Sequence, residues 1–346
     1  MDNGRVISWG IMGTAAIAVD HVIPAIEAAR GCAVAALASR TKERAAELAG
    51  TLGIPCHYGS YDGLLADPDV DCVYVPLPNS MHLDWTLRAI QAGKAVLVEK
   101  PMADKREDVQ RMAETAAAAG VLLAEAFMYR YHPQLQWLLE LVRGGELGTV
   151  RVIRGSIGFV IGEPPDIRLD PELGGGALLD VGCYPLDAMC LIYGTAPTAA
   201  RAVSCYRGGV DQLSAAVLEF PGERVGLMDA TFRLPWLRSP LEVSGERGTV
   251  RLDNAFNPGQ RPATGVLLRP GAPDQPLTFE GMNAYRAMVE SFSDSFRSGT
   301  PPRYDLHASL ATATASDLVR YAGARGEHSL FMKTPMLFSL ARRPAP

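Results

Sequence analysis

The sequence predicts two domains of different class: an α/β domain on a parallel sheet, and an α+β domain with a large, mainly antiparallel, open-faced sheet. Short apolar segments alternate with helical patterns over residues 1–125, which is typical of doubly wound parallel sheets. Consecutive strand-like segments joined by short turns dominate residues 126–346 and favour antiparallel pairing. We therefore place the two domains at 1–125 and 126–346.

The strands of the first domain are recognised by nearly continuous apolar runs, as expected for parallel strands covered on both faces. They are predicted at 5–11, 32–38, 71–77, 95–99 and 121–126. Helical patterns occupy 41–53 and 105–120 between them.

The second domain combines strand candidates with three helices. The strand candidates are 149–161, 198–206, 212–220, 223–232, 239–252 and 264–270. The helices are predicted at about 175–193, 282–297 and 306–324.

Composition narrows the class of protein. The chain has 346 residues, 48% hydrophobic and 21% charged, with a net charge of -5 that gives no reason to expect nucleic acid or a membrane surface as partner. The six cysteines form no CxxC pair and no metal-type spacing, so we expect reduced thiols and no metal. The beginning, "MDNGRVISWG", lacks the pattern of an export signal, and we expect a cytoplasmic protein.

A glycine-containing loop follows the first strand and opens a helix. In "GIMGTAAIA" (10–18) the three glycine places of a dinucleotide fingerprint are taken by Gly13, Ala15 and Ala18. Small residues there let backbone amides approach a pyrophosphate at the helix N-terminus. The candidate cofactor-binding residues are Gly13, Thr14, Ala15, Ala16 and Ile17. The alternative is a tight strand-to-helix turn without a ligand.

The end of the second strand, "ASRTK" (38–42), indicates which dinucleotide would bind. An NAD site normally carries an acidic residue there for the ribose 2′-hydroxyl. This tip has Ser39, Arg40, Thr41 and Lys42 instead, whose hydroxyls and cations suit a 2′-phosphate and therefore NADP. The alternative is a solvated helix N-terminus that happens to carry two cations.

Several motifs in order resemble the glucose–fructose oxidoreductase/inositol dehydrogenase family, often called Gfo/Idh/MocA. They are "GTAAIA" (13–18), "VYVPLPNSMH" (73–82), "EKP" (99–101) and "GGGALLDVGCYPLD" (174–187). The resemblance covers nearly the whole chain and implies a Rossmann domain with a nicotinamide cofactor. It adds further cofactor-binding candidates, namely Pro76, Leu77, Asn79, His82, Glu99, Lys100 and Arg130. Asn79 and His82 alternatively cap the following helix.

The EKP lysine lies beside the nicotinamide and the reacting carbon in that family, which makes Lys100 a catalytic and substrate-binding candidate. The residues agree: Pro101 stops the strand and favours extended backbone at Lys100, which delivers an ammonium to the carboxyl edge of the sheet. Glu99 would neutralise or orient it. The alternative is a buried Glu–Lys pair that merely closes the strand.

The helix at 175–193 supplies the other candidates. Asp180, Tyr184 and Asp187 share one helical stripe, and Pro185 should distort the helix locally. The glycines at 174–176 would let the backbone pass close to the nicotinamide or substrate. A tyrosine in an apolar helix is usually part of the core, but the family signature favours a catalytic Tyr184, with Asp180 orienting the substrate or Lys100.

Tyrosine at 184 resembles the branch with dihydrodiol and aldose dehydrogenases and nucleotide-sugar ketoreductases, which favours NADP. We expect an NADP-dependent oxidoreductase of a sugar or cyclic polyol, in which Tyr184 exchanges the proton and Lys100 assists. The alternative is a cofactor-sensing regulator without catalysis. Arg168 is a further substrate-binding candidate, although Arg130, His132 and Arg168 could equally form structural ion pairs. Family members pair through the second sheet, so we expect a homodimer or a dimer of dimers through about 149–270.

Overall fold

The first sheet brings the ends of its strands to one edge. The computed structural model describes residues 5–162 and 166–324. Six parallel strands form the sheet in the order β3-β2-β1-β4-β5-β6. They are β1 (Ile7–Met12), β2 (Cys32–Ala38), β3 (Cys56–Tyr58), β4 (Cys72–Val75), β5 (Ala95–Val98) and β6 (Leu123–Glu125). The order reverses between β1 and β4, and ligands of such sheets bind beyond the carboxyl ends at that point.

Helices connect these strands. The connections are α1 (Ile23–Ala28), α2 (Lys42–Leu52), α3 (Tyr61–Leu65), α4 (His82–Gln91) and α5 (Arg106–Ala119), followed by α6 (Pro133–Arg143). A π-helical segment, Ala18–Val22, leads directly into α1. Helix α2 begins after Thr41, whose side chain accepts a hydrogen bond from the backbone N–H of Arg44.

The second sheet has nine strands within the described part of the chain and is mainly antiparallel. They are β7 (Val150–Val160), β8 (Ala199–Arg207), β9 (Val210–Phe220), β10 (Arg224–Thr231), β11 (Arg233–Arg238), β12 (Leu241–Gly245), β13 (Gly248–Leu252), β14 (Ala263–Leu268) and β15 (Gln275–Phe279). Their order is β15-β14-β13-β12-β7-β10-β9-β8, and β11 also pairs with β7. The one parallel pair among them is β7 with β10, where Val152 lies opposite Val225. The fold class predicted from the sequence is confirmed.

The described residues contain three further helices: α7 (Cys183–Tyr193), α8 (Ala284–Ser298) and α9 (Leu306–Ala324). A π-helical segment, Leu178–Gly182, precedes α7, so the predicted helix at 175–193 is irregular just before Pro185. The predicted segment 239–252 is a hairpin of two strands, because Gly245 pairs with Gly248 across a two-residue turn.

The two sheets share their hydrophobic core. Trp9 of β1 packs against Phe292 of α8 with ring centroids 5.2 Å apart. Helix α9 packs on α5 and β6 of the first sheet and on β8 of the second. The division of the chain at residue 125 therefore stays a prediction, and parts of both predicted domains (1–4, 163–165 and 325–346) lie outside the described residues.

One described segment, Pro171–Tyr193, is long and apolar enough to cross a membrane by composition. However, 78% of its apolar window is buried inside the protein, as in the core helix of a globular fold.

Candidate active site

A cleft of about 560 Å³ lies where the carboxyl ends of β4 and β5 face the second sheet. It brings together most of the candidates that the sequence indicated. These are Ala15, Ala16, Ile17, Pro76, Leu77, Asn79, Glu99, Lys100, Arg168, Asp180 and Tyr184. The other candidates, Gly13, Thr14, Ser39, Arg40, Lys42, His82 and Arg130, do not line it.

The loop after β1 has the geometry that a phosphate needs. Gly13 has a φ of 116°, a conformation that favours glycine, and its N–H donates to Ala38 O at 2.8 Å. A Cβ there would stand 3.2 Å from a methyl group of Leu77. The helix that follows leaves its first N–H groups without helical partners, and Ala16 and Ile17 at this end line the cleft. Anion binding by this loop stays a prediction, which the free N–H groups at the start of the helix support.

The tip after β2 lies beside this loop. Ser39 is buried, and its N–H donates to Tyr58 O at 3.0 Å, whereas Arg40 and Lys42 are exposed. Burial raises the pKa of Tyr61, and the nearby guanidinium groups of Arg40 and Arg44 oppose this shift. The cations of Arg40 and Arg44 therefore both lie near the Tyr61 phenol. Arg44 was not among the cofactor-binding residues predicted from the sequence.

Glu99 and Lys100 end β5 inside a hydrogen-bond network. Glu99 accepts from Tyr74 Oη at 2.6 Å and from Lys100 N at 3.1 Å, and burial raises its pKa. Lys100 Nζ donates to the backbone O of Asp180 at 2.7 Å and to Asp180 Oδ1 at 3.0 Å. The peptide bond between Lys100 and Pro101 is cis.

The charge of Lys100 is secured by its neighbours. Burial acts to lower its pKa, but the Asp180 carboxylate and the other acidic groups around it raise the pKa well above its usual value. An ammonium carries three protons, and the two bonds to Asp180 leave one N–H available to a ligand in the cleft.

Tyr184 lies beside this ammonium. Lys100 Nζ is 5.3 Å from the centroid of the Tyr184 ring, which packs edge-on against Phe127 at 5.4 Å between centroids. Burial raises the pKa of Tyr184 well above its usual value, and Lys100 only partly opposes this. We expected Lys100 to assist Tyr184, but its stabilisation of the phenolate is a smaller effect than burial. Tyr184 is therefore a protonated phenol near neutral pH.

Two residues that the sequence suggested for the site, Arg130 and Asp187, are buried in the protein interior and do not line the cleft. Arg130 is fully buried and pairs with Asp187, donating from Nε to Oδ2 at 3.0 Å. Asp187 also accepts from Tyr129 and from Thr312 Oγ1, so it does not continue the stripe of Asp180 and Tyr184 into the cleft. The structural ion pair, which the sequence left open for Arg130, is the arrangement observed. A cofactor contact by Arg130 is not supported by its position.

The two histidines singled out in the sequence are also internal. His82 is fully buried, with Nδ1 and Nε2 each 2.8 Å from a backbone oxygen, of Pro101 and Leu77 respectively. It braces the two loops that bound the cleft and does not reach into it. His132 is buried as well and caps α6 by accepting from Gln134 N at 3.3 Å.

The glycines at 174–176 approach protein groups. A Cβ at Gly174 would lie 2.9 Å from Cβ of Asn79, and one at Gly176 would collide with the carboxylate of Asp211. Asn79 Nδ2 donates to Gly174 O at 2.8 Å, which joins the two sides of the cleft. Gly174 and Gly175 also line the cleft, so their expected close approach to a nicotinamide or substrate stays a prediction.

The cleft also contains residues that the sequence analysis missed. Tyr285 of α8 lines it and stacks on His21 with centroids 4.9 Å apart; burial raises its pKa to about 12, with Glu99 adding to the shift. Strands β7 and β11 of the second sheet contribute the apolar residues Ile157, Phe159 and Leu237, and Phe256 comes from the segment after β13. No local motif marks any of these residues, because β7, β11, the segment after β13 and α8 are separate parts of the sequence.

Family models match both halves of the chain. Residues 7–127 match the model described as "Oxidoreductase family, NAD-binding Rossmann fold", and residues 135–251 match the model of the GFO/IDH/MocA C-terminal domain. The chain belongs to the GFO/IDH/MocA family. Membership makes it an oxidoreductase and confirms the resemblance seen in its motifs.

Relatives within the GFO/IDH/MocA family act on sugars. A D-xylose 1-dehydrogenase (NADP(+)) of Haloferax volcanii is 36% identical over 92% of this chain and 98% of its own. The 3-ketoreductase KijD10 of Actinomadura kijaniata, solved with NADP and TDP-benzene, has a TM-score of 0.86 at 30% identity and covers 92% of this chain and 98% of its own. An aldose-aldose oxidoreductase of Caulobacter crescentus, solved with glycerol, has a TM-score of 0.85 at 29% identity, with coverages of 93% and 98%.

Proposed function

We propose that this oxidoreductase uses NADP(H) to transfer hydride to or from a carbon of a sugar or cyclic polyol, with Tyr184 as proton donor and acceptor and Lys100 assisting. The observation that carries the proposal is the convergence of Lys100, Asp180 and Tyr184 in one cleft beside the loop of Gly13. The KijD10 and xylose dehydrogenase relatives, both named with NADP, support the cofactor.

The described residues fit a bound dinucleotide. The helix start at Ala16 offers N–H groups for the pyrophosphate, and Arg40 and Lys42, assisted by Arg44, offer cations for a 2′-phosphate. Leu77, Glu99 and Lys100 then line the part of the cleft where the nicotinamide would lie. When bound, NADPH supplies hydride to a carbonyl carbon.

Side chains of the protein exchange the proton of the reacting substrate oxygen and stabilise its negative charge. In reduction, the phenol of Tyr184 gives its proton to the alkoxide that forms, and the free N–H of Lys100 stabilises the negative charge on that oxygen. Asp180 holds Lys100 in place through two hydrogen bonds and orients a neighbouring hydroxyl of the substrate. In oxidation the same groups act in reverse, and the alcohol proton returns to Tyr184.

The test is a change in the absorbance of the nicotinamide when NADP⁺ or NADPH is mixed with a panel of aldoses, inositols, cyclic diols and keto-sugars. Turnover of at least one member is expected. A protein that binds NADP but turns over none of them would support a cofactor-sensing regulator.

Replacing Arg40 with alanine is expected to weaken NADP binding about tenfold or more and to leave NAD binding unchanged. The reason is the loss of one charge-assisted contact with the 2′-phosphate, worth about 1.5–3 kcal/mol. Dissociation constants measured by quenching of protein fluorescence would check this. The control is Arg30→Ala, because Arg30 is an exposed arginine that precedes β2, at the end of the strand opposite to Arg40. An unmutated protein that prefers NAD would contradict the assignment.

We also propose that the protein is cytoplasmic and forms a homodimer through residues 149–270. The open face of the second sheet forms a groove of about 920 Å³ that includes Val203 and Val217, 50% and 44% exposed. Burying such apolar surface favours association. Sedimentation should show a dimer at micromolar concentration and a monomer for Val217→Glu. The control Val6→Glu, at a residue 48% exposed on the first sheet's side, should remain dimeric. A monomeric unmutated protein would refute the proposal.

A further inference from the structure

The loop that carries Lys100 is held by buried side chains on the side away from the cleft. Glu125, at the end of β6, accepts a hydrogen bond from the backbone N–H of Met102 at 2.8 Å. One ring nitrogen of His82 lies 2.8 Å from Pro101 O. Glu125, His82 and Met102 are all buried. The two residues that follow Lys100 are therefore fixed to the protein interior.

The helix that carries Tyr184 is held in a similar way by Asp187, one turn later. Arg130 donates from Nε to Asp187 Oδ2 at 3.0 Å, and its Nη2 pairs with Asp187 Oδ1. Thr312 of α9 donates to Asp187 Oδ1 at 2.8 Å. Tyr129 donates its hydroxyl proton to the same carboxylate, and its ring packs against the Tyr184 ring with centroids 5.6 Å apart. Asp187 therefore fixes the turn of α7 that begins at Tyr184.

Arg130 connects these two points of attachment. Its Nη2 also lies 3.9 Å from Glu125 Oε2, so one guanidinium faces the carboxylates of both Glu125 and Asp187. Burial acts to lower the pKa of Arg130, but the Asp187 and Glu125 carboxylates raise it above its usual value. We call Glu125, Arg130 and Asp187 the buried bridge. It runs from the backbone of Met102 to the turn of α7 that contains Tyr184.

Stability alone does not account for a buried network of charges. Apolar side chains of similar volume often stabilise a core as well or better, because charges lose their water when they are buried. Directed, charge-assisted hydrogen bonds instead fix the relative positions of the groups that they join. Such positioning matters for Lys100, which follows β5 of the first sheet, and Tyr184, whose helix packs on β7 of the second.

We infer that the buried bridge positions Lys100 against Tyr184 for proton transfer, which makes Glu125, Arg130 and Asp187 positioning residues of the reaction. None of the three lines the cleft, and each acts through the backbone or side chain that it holds. This inference rests on the proposed function, because it assumes that Lys100 and Tyr184 together exchange the proton of the substrate.

Glu125→Ala tests the end of the bridge that holds the Lys100 loop. It should lower kcat about 10–100-fold, because a displacement of about 1 Å at a reacting group can cost about 100-fold. The dissociation constant of NADP should remain nearly unchanged. The solvent deuterium isotope effect on kcat should increase, because a slower proton transfer limits turnover more strongly. Glu125→Gln should recover most of the loss, since its amide oxygen can still accept from Met102 N.

Leu267→Ala is the control for a general loss of stability. Leu267 is 2% exposed on β14 and does not line the cleft. Its truncation should lower the melting temperature without changing kcat or the isotope effect, when both variants are assayed well below their melting temperatures. An unchanged kcat in Glu125→Ala, or equal losses of kcat in Glu125→Ala and Leu267→Ala, would overturn the inference.

A double-variant cycle tests whether the bridge acts as one unit. Asp187→Asn keeps the shape of the side chain but loses the charge that pairs with Arg130, and it should also lower kcat. Combined with Glu125→Ala, it should cost less than the product of the two single losses, because Arg130 joins both ends. A multiplicative loss would show that the two ends act separately and would refute the bridge.

Crystal structures of the unmutated protein and of Glu125→Ala separate this inference from the proposed function. The distance from Lys100 Nζ to the centroid of the Tyr184 ring, 5.3 Å in the unmutated protein, should differ in the variant. If it differs while Tyr184→Phe keeps near-normal turnover, the bridge still positions the two side chains and the proposed proton donor fails. If it is unchanged while Tyr184→Phe is strongly impaired, the inference fails and the proposed function stands.

Discussion

Replacing Tyr184 with phenylalanine is expected to lower kcat by about 10²–10⁴-fold, the usual contribution of general acid–base catalysis. The change deletes one hydroxyl and keeps the ring that packs against Phe127 and Phe256. NADP binding should therefore remain nearly unchanged. Steady-state kinetics in the reductive direction and cofactor titration would measure both quantities.

A tyrosine on the same helix provides the control. Tyr193 lies at the end of α7 and donates its hydroxyl proton to Val225 O at 2.9 Å, away from the cleft. Tyr193→Phe should leave kcat close to that of the unmutated protein. Near-normal turnover by Tyr184→Phe would remove the phenol from the mechanism and make Lys100 the proton donor.

Lys100 and Tyr184 should act as one unit. Lys100→Met keeps the bulk of the stem but removes the charge and both hydrogen bonds to Asp180, so it should also be strongly impaired. If both residues serve one proton transfer, the double variant loses far less than the product of the two single losses. Multiplicative losses would show that the two side chains act independently.

Replacing Asp187 with alanine is expected to lower the free energy of unfolding by about 3–5 kcal/mol, because it removes the carboxylate hydrogen-bonded to the fully buried guanidinium of Arg130 and leaves only Glu125, at 3.9 Å, as an opposite charge. The bonds from Tyr129 and Thr312 are lost with it. Denaturant unfolding followed by circular dichroism would give the value.

An exposed ion pair provides the comparison for this measurement of stability. Arg201 and Glu219 form an ion pair across β8 and β9, with side chains 82% and 54% exposed. Glu219→Ala should cost less than about 1 kcal/mol, since water screens such pairs. A similar small loss for Asp187→Ala would mean that the interior network is not a major source of stability.

The sequence predicted regular elements well where hydrophobic patterning is strong. Strand β2 and helix α9 have the bounds that their patterns indicated, 32–38 and 306–324. Strands β11 and β15 were missed because their residues are mostly exposed and leave no apolar pattern. The helices α3 and α6 were not identified either, although α6 begins with a proline at its first position, a usual start signal.

In the candidate site, too, residues within local motifs could be predicted, and residues that only tertiary packing brings together could not. Local motifs located Lys100, Asp180 and Tyr184, which the structure brings together. Helical spacing alone misplaced Asp187, since that spacing cannot reveal that Arg130, 57 residues earlier, is buried against it. Nor could sequence reveal the apolar residues of the cleft, such as Ile157 and Leu237, because long-range packing brings them together from β7, β11 and two loops.

The shared core has a consequence for how the protein is made. Leu306, Leu310 and Ala313 of α9 pack into the apolar cluster of the first sheet, beside residues such as Val96. The ribosome completes β6 at Glu125 and reaches Ala313 roughly 190 residues later, on the order of 10–40 s at ~5–20 residues per second. Throughout that interval the nascent parallel sheet has all of its strands but lacks part of its covering. Chaperones that bind apolar surface can therefore bind the nascent chain during translation, before α9 has been synthesised.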